Sequence, residues 1–172
     1  PIKVIEPFVL GMEDNDRHGK TMRSLHVAEA ILFAVAPSQK CQSSPEARFR
    51  QVYRVLKDSY RAGNRHVLII EEAHGLSFPM IKHLKRFYEL EDGFQRLLSI
   101  ILIGQPELAD KLDEANAEVR EVVQRTDVVK VFPIEDLHGY VAHRCKAVGL
   151  DAAALFTPEA LDMVPIKLSG PQ

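Results

Sequence analysis

The sequence predicts an α/β fold: a mostly parallel sheet flanked by helices, with a helical C-terminal end. Two observations carry that prediction. The apolar runs at residues 66–70, 97–103 and 128–132 lack the polar alternation of a strand with one wet face, the pattern of strands covered on both sides. Segments with apolar residues at helical spacing separate these runs, and strands alternating with helices make a parallel sheet.

The elements follow in order. Residues 2–10 are apolar-rich, interrupted by Pro7, and lead into the polar stretch Glu13-Asp14-Asn15-Asp16-Arg17-His18-Gly19-Lys20, which reads as a strand and then a loop. Across residues 21–36, Leu25, Ala28, Ile31, Leu32 and Val35 form one helical face, and Pro37 closes it. Ser43-Ser44-Pro45-Glu46 supplies a cap, a first-turn proline and an acid for the positive helix end. The stripe Phe49, Val52, Tyr53, Leu56 and Tyr60 then runs to Gly63. After the strand at 66–70, Ser77 and Pro79 open a helix bearing Met80, Leu84, Phe87 and Tyr88, with a break at Glu91-Asp92-Gly93. A second strand is expected at 97–103, short helices at 106–113 and 117–124, and a third strand at 128–132. Closing helices are expected at 135–148 and 158–168, the last started by Thr157 before Pro158.

Composition bounds the function classes. With 172 residues, 46% of them apolar and 27% charged, the chain has the material for one domain's core and is neither disordered nor collagen-like. Its two cysteines, Cys41 and Cys145, stand far apart without metal-ligand spacing and read as free thiols of a reducing cytoplasm rather than a disulfide scaffold or metal cluster. Lys and Arg total 22 against 24 Asp and Glu, so no basic field envelops the molecule and any nucleic-acid contact is local. The apolar runs fall far short of the ~20 residues of a membrane span. The start at Pro1 and the end at Leu168-Ser169-Gly170-Pro171-Gln172, in mid-motif, suggest a piece of a longer polypeptide.

Two constellations could carry chemistry. In Val67-Leu68-Ile69-Ile70-Glu71-Glu72-Ala73-His74 a buried strand delivers adjacent acids to its carboxyl end, where ligands of parallel sheets collect. Nucleotide hydrolysis uses one carboxylate there for the water shell of Mg²⁺ and a second to polarise the attacking water, roles suited to Glu71 and Glu72. The same pair could equally solvate a loop. In Leu102-Ile103-Gly104-Gln105-Pro106-Glu107-Leu108, Gln105 stands at a second strand end, where its amide could orient a water or sense a phosphate, or simply sit in a turn. Arg120 and Arg125 could reach transferring phosphate charge on a neighbouring subunit, or line a solvated helix.

Taken together, these motifs resemble the AAA+ ATPases, in particular the ExeA-type secretion ATPases and the MuB-type ATPases that select target DNA in transposition. The resemblance runs over nearly the whole chain and rests on Ile69-Ile70-Glu71-Glu72-Ala73-His74, Leu84-Lys85-Arg86-Phe87, Ile103-Gly104-Gln105-Pro106-Glu107-Leu108 and Val123-Gln124-Arg125. It implies that Glu71 and Glu72 are the Walker B pair, with Glu for the more usual Asp. Gln105 would be the sensor of the fourth strand and Arg125, or Arg120, the arginine finger. ATP and Mg²⁺ are the implied cofactors, a P-loop NTPase-like sheet at residues 1–134 the implied core, and residues 135–172 the beginning of a helical lid. In the family the lid's sensor arginine follows a small-residue-Gly-Pro turn; here that turn reads Ser169-Gly170-Pro171-Gln172, so either the arginine is absent or the register is a different one.

His18-Gly19-Lys20-Thr21 looks like the end of a phosphate-binding loop, but Asp14 occupies the position of its leading glycine, where an acid repels phosphate. Lys20 and Thr21 are therefore read as decoys. The family pattern fits if residues 2–10 are the second strand and the Walker A strand precedes Pro1. That first strand is central in the family's sheet, between the fourth and fifth. Without it those neighbours stand ~10 Å apart at ~4.8 Å per strand step, beyond hydrogen-bonding reach. The resemblance also implies self-association into a ring or helical oligomer, double-stranded DNA held by basic residues, and a transposase or other partner protein. Lys82, Lys85 and Arg86, with Arg17, His18, Lys20 and Arg23, are the candidate DNA contacts. The expectation is the core of an ATPase supporting transposition. The alternatives are an ExeA-type secretion core or a non-hydrolysing interaction module; a helicase with a DEAH-like box ranks below both.

Overall fold

A computed structural model describes residues 1–7, 22–131 and 134–168, the side chains of 164–168 excepted. The chain divides into two compact units, Pro1–Asp127 and Val128–Gln172.

In the first unit, β1 (Ile2–Ile5), β2 (Arg65–Ile70) and β5 (Ser99–Leu102) form a parallel sheet in the order β1-β2-β5. The register sets Ile5 beside Leu68 and Ile70 beside Leu102. Helices α1 (Ser24–Val35) and α2 (Pro45–Arg61) connect β1 to β2, and α3 (Phe78–Tyr88) lies between β2 and β5. Both crossovers step across the sheet in the same direction. Since such connections are right-handed, their helices fall on the same face. Ile5, Leu68 and Ile70 are accordingly buried in one cluster with Val27 and Ile31 of α1, Val52 and Leu56 of α2, and Ile81, Leu84 and Phe87 of α3. The other face stays open, with Ile2 72%, Val4 51% and Ile101 46% exposed.

This corrects the expectation that the run at 66–70 is covered on both sides. Among the described residues β2 alternates, with His66, Leu68 and Ile70 buried and Val67 and Ile69 half-buried. The break expected at Glu91-Asp92-Gly93 is instead a hairpin of β3 (Glu91–Asp92) and β4 (Gln95–Arg96), turning through Gly93 at φ +66°. Asp92 anchors it to α2 by accepting from Lys57 at 3.1 Å and from Arg61 Nε at 2.7 Å. Two short helices, α4 (Glu107–Lys111) and α5 (Arg120–Val123), complete the unit.

The second unit holds α6 (Leu137–Ala147), α7 (Ala152–Leu155) and α8 (Pro158–Leu168). Asp136 caps α6 by accepting from the Gly139 N–H at 2.8 Å, Asp151 caps α7 through Ala153 at 3.1 Å, and His138 meets Asp162 of α8 at 2.8 Å. The third strand expected at 128–132 does not form over its described part: residues 128–131 have no strand pairing, and Val129 and Val131 are almost fully exposed. An isolated apolar run has no partner for its backbone groups, so composition alone does not make it a strand. Among the described residues no helix is long and apolar enough to cross a membrane.

Candidate functional site

The carboxyl ends of β2 and β5 are neighbours in the sheet, and the turns that follow them are fastened together. The ladder continues past β5 with the Ile103 N–H donating to the Ile70 carbonyl at 2.9 Å. Beyond it, the Ala73 N–H donates to the Ile103 carbonyl at 2.8 Å. Between Ile70 and Ala73 the chain must turn back toward β5, and Glu72 makes that turn in the left-handed region at φ 50°, ψ 34°. A single 3-10 turn, Ala73–Gly75, follows. Lys111, at the end of α4, donates to the carbonyls of His74 and, at 3.1 Å, Leu76, which closes α4 over this turn.

His74 occupies the centre of the arrangement. Its Nδ1 accepts the backbone N–H of Gln105 at 3.4 Å and stands 3.6 Å from a carboxylate oxygen of Glu72. Gly104 makes the approach possible: a Cβ there would meet the His74 backbone nitrogen at 3.0 Å and Leu108 Cδ2 at 3.0 Å. The structure therefore brings Glu72 and Gln105 together on one imidazole, with Glu71 exposed at the strand end beside them. His74, Gly104 and Lys111 were not singled out as site residues from the sequence. The available signal was the position of His74 two residues after the acid pair.

The other candidates are engaged elsewhere. Arg120 Nε donates to the Glu114 carbonyl at 3.1 Å and Arg125 Nη1 to the Glu121 carbonyl at 2.7 Å, both folded back on their own segment. Lys82 pairs with Glu118 at 3.5 Å, while Lys85 pairs with Glu121 and, at 3.6 Å, with Glu89. The Lys85 ammonium holds the Glu121 carboxyl below its usual range. Arg86 is exposed beside His83 at the rim of a groove of 360 Å³ floored by Phe49 and Phe87. Arg23 precedes α1, its N–H donating to His26 Nδ1 at 3.2 Å. Arg17, His18, Lys20 and Thr21 lie outside the described residues, as does Ser169-Gly170-Pro171-Gln172.

The donor set suits one kind of cofactor. Two exposed carboxylates at the end of a parallel strand offer hard oxygen atoms for Mg²⁺ and its waters, and the exposed Gln105 at the end of the neighbouring strand carries an amide able to contact a phosphate.

A parallel sheet flanked by helices, with paired acids after one strand and a glutamine after its neighbour, is an α/β fold of the P-loop NTPase-like kind. Comparison with known proteins narrows the class. The sequence profile of the AAA domain family matches residues 15–112, more than half of the chain, and the chain belongs to that family. It is similar to General secretion pathway protein A of Aeromonas hydrophila, at 29% identity over 147 residues. That match covers 81% of this chain and 26% of the relative, so the chain spans about a quarter of that protein's length. No solved structure matches.

Proposed function

We propose that this chain is the hydrolytic part of an ATP-driven AAA+ protein, in which Glu71 orients the water shell of Mg²⁺, Glu72 takes the proton of the attacking water and Gln105 contacts the terminal phosphate. The observation that supports this reading is the fastening of the two strand-end turns through His74, whose Nδ1 meets both the Gln105 backbone N–H and the Glu72 carboxylate. ATP would supply the phosphoryl group and Mg²⁺ the charge neutralisation; this chain's residues supply the base, the sensor and their alignment.

The phosphate-cradling strand belongs, in this reading, against the outer edge of β5. One feature supports that position: among the described residues β5 pairs only with β2. Gly19-Lys20-Thr21 remains a decoy. Arg125, or Arg120, would leave its local carbonyl to meet the nucleotide of a neighbouring copy in a ring or helical oligomer.

Between the secretion and transposition readings, the name of the similar protein supports secretion. The pairing of Lys82 and Lys85 with Glu118, Glu121 and Glu89 weighs against a DNA-holding role for them, since phosphate would have to displace carboxylates already in place. Binding to a random duplex that weakens steeply with salt, and is lost in a Lys82→Ala, Arg86→Ala double variant, would restore the DNA and transposition reading.

The direct test replaces Glu72 with Gln in the protein expressed from its whole reading frame. Loss of the base should slow hydrolysis by about 10²-fold or more while ATP binding persists. Unchanged hydrolysis would hand the chain to the non-hydrolysing interaction module. Micromolar ATP binding by this 172-residue chain that requires Lys20 would overturn the decoy assignment.

A further inference from the structure

We infer that His74 is a positioning residue that interlocks the sensor turn with the hydrolytic glutamate, Nδ1 serving either Gln105 or Glu72 but never both. The inference deepens the ATPase reading above and rests on it.

The argument starts from the two contacts of one atom. Nδ1 lies 3.4 Å from the Gln105 backbone nitrogen and 3.6 Å from a Glu72 carboxylate oxygen. A backbone N–H only donates, so in the Gln105 contact Nδ1 offers its lone pair and the ring proton sits on Nε2. A carboxylate only accepts, so a bond to Glu72 requires the proton on Nδ1. A neutral imidazole meets one demand at a time. While Gln105 donates, Glu72 faces a ring nitrogen with no hydrogen to give, and its oxygens stay available for a water. When the Gln105 turn moves away, the ring can lose its Nε2 proton to solvent and take one from solvent at Nδ1. Its charge does not change, and the new N–H then ties up the Glu72 carboxylate. The position of the sensor thereby reaches the base through one side chain.

The surroundings hold the ring in place to do this. Lys111 donates to the His74 carbonyl, the Ala73 N–H is bonded to Ile103, and Gly104 leaves no side chain between the two turns. The His74 side chain is 19% exposed, open enough for water to carry the proton.

Asparagine and glutamine separate this role from a merely structural one. Asn Oδ1 stands two bonds from Cβ, as Nδ1 does, and a flipped amide can donate to Glu72. In Gln the corresponding atoms lie one bond farther out. In the full reading frame, His74→Gln should lower kcat for ATP about tenfold with KM within about twofold, whereas His74→Asn stays within about threefold of the parent. In the 172-residue chain, the Gln105 amide proton should move upfield in His74→Gln and hold its place in His74→Asn. Equal kcat in the two variants, or a Gln105 amide indifferent to both, overturns the interlock. Hydrolysis untouched by Glu72→Gln overturns the ATPase reading itself and the interlock with it. A dead Glu72→Gln beside equal His74 variants overturns the interlock alone.

Discussion

Among the described residues, Glu72 alone of the non-glycine residues has a positive φ, and nothing in its chemistry favours that conformation. The left-handed region costs an ordinary side chain roughly 1–2 kcal/mol, and Asn tolerates it better through local hydrogen bonding. Glu72→Asn should therefore raise the free energy of urea unfolding by up to about 1 kcal/mol while abolishing hydrolysis. A destabilised Asn variant would show that the turn is not strained. At Gly104 the sign reverses: a methyl group 3.0 Å from the His74 nitrogen presses on backbone held by two other hydrogen bonds, so Gly104→Ala should cost about 1–3 kcal/mol on the same assay. The acid pair and Gln105 could be picked out in the sequence because each ends an apolar run. The left-handed turn could not, since Glu carries no local signal for it and its cause is the bond from Ala73 across to Ile103.

At the scale of elements, β2 is tied to its surroundings through His66, which is 4% exposed. Its Nδ1–H donates to the Leu97 carbonyl at 3.0 Å, and Nε2 receives the Ser59 hydroxyl of α2 at 2.9 Å, so the neutral ring bridges α2, β2 and the approach to β5. Burial holds its pKa below the usual 6.5. The unfolded chain then binds the proton more readily, and stability rises with pH across the interval between the folded and unfolded values. The contribution is complete above about 6.5 and is lost as pH falls from there toward the folded value. Urea midpoints should drop between pH 8 and pH 5.5 in the parent and much less in His66→Leu, which should itself cost about 1–3 kcal/mol at pH 8 for the two partners it orphans. An equal pH slope in the two proteins would remove His66 from that account. The sequence showed His66 only as the start of an apolar run, because its partners lie 31 and 7 residues away. The hairpin of β3 and β4 was hidden for a related reason. Two-residue strands carry no periodicity, and the charges that anchor Asp92, on Lys57 and Arg61, belong to a helix more than thirty residues earlier.

For the whole molecule, the sheet is the part the sequence reading anticipated in kind and missed in extent. Helical stripes and apolar runs marked α1, α2, α3, β2 and β5, but a run does not say which of its faces finds a cover. That depends on the direction of successive crossovers, and here both put their helices on one side. The described part of the expected third strand, residues 128–131, has no strand pairing. The outer edge of β5, unpaired among the described residues, can be measured directly. Because Ile103 donates its N–H toward β2, the alternation of the ladder turns the N–H groups of Ile100 and Leu102 outward. Their amides should exchange with solvent faster than those of Ile101 and Ile103, and the difference should vanish wherever a further strand, such as the one proposed above, pairs with that edge. Slow exchange at Ile100 and Leu102 in this chain would mean that the edge is already occupied.

That edge also governs how the chain behaves in a concentrated solution. Leu97-Leu98-Ser99-Ile100-Ile101-Leu102-Ile103 is seven residues without a charge, a proline or a glycine, and four of them form the outermost strand. Such a segment templates its own kind: an unpaired row of backbone groups beside exposed isoleucines invites the same segment of another molecule, and the product is a fibre or a precipitate. Natural edges are blunted by a lysine or a bulge, and β5 has neither. The strand proposed to lie against β5 would thus act as a guard against aggregation as well as a carrier of the phosphate loop.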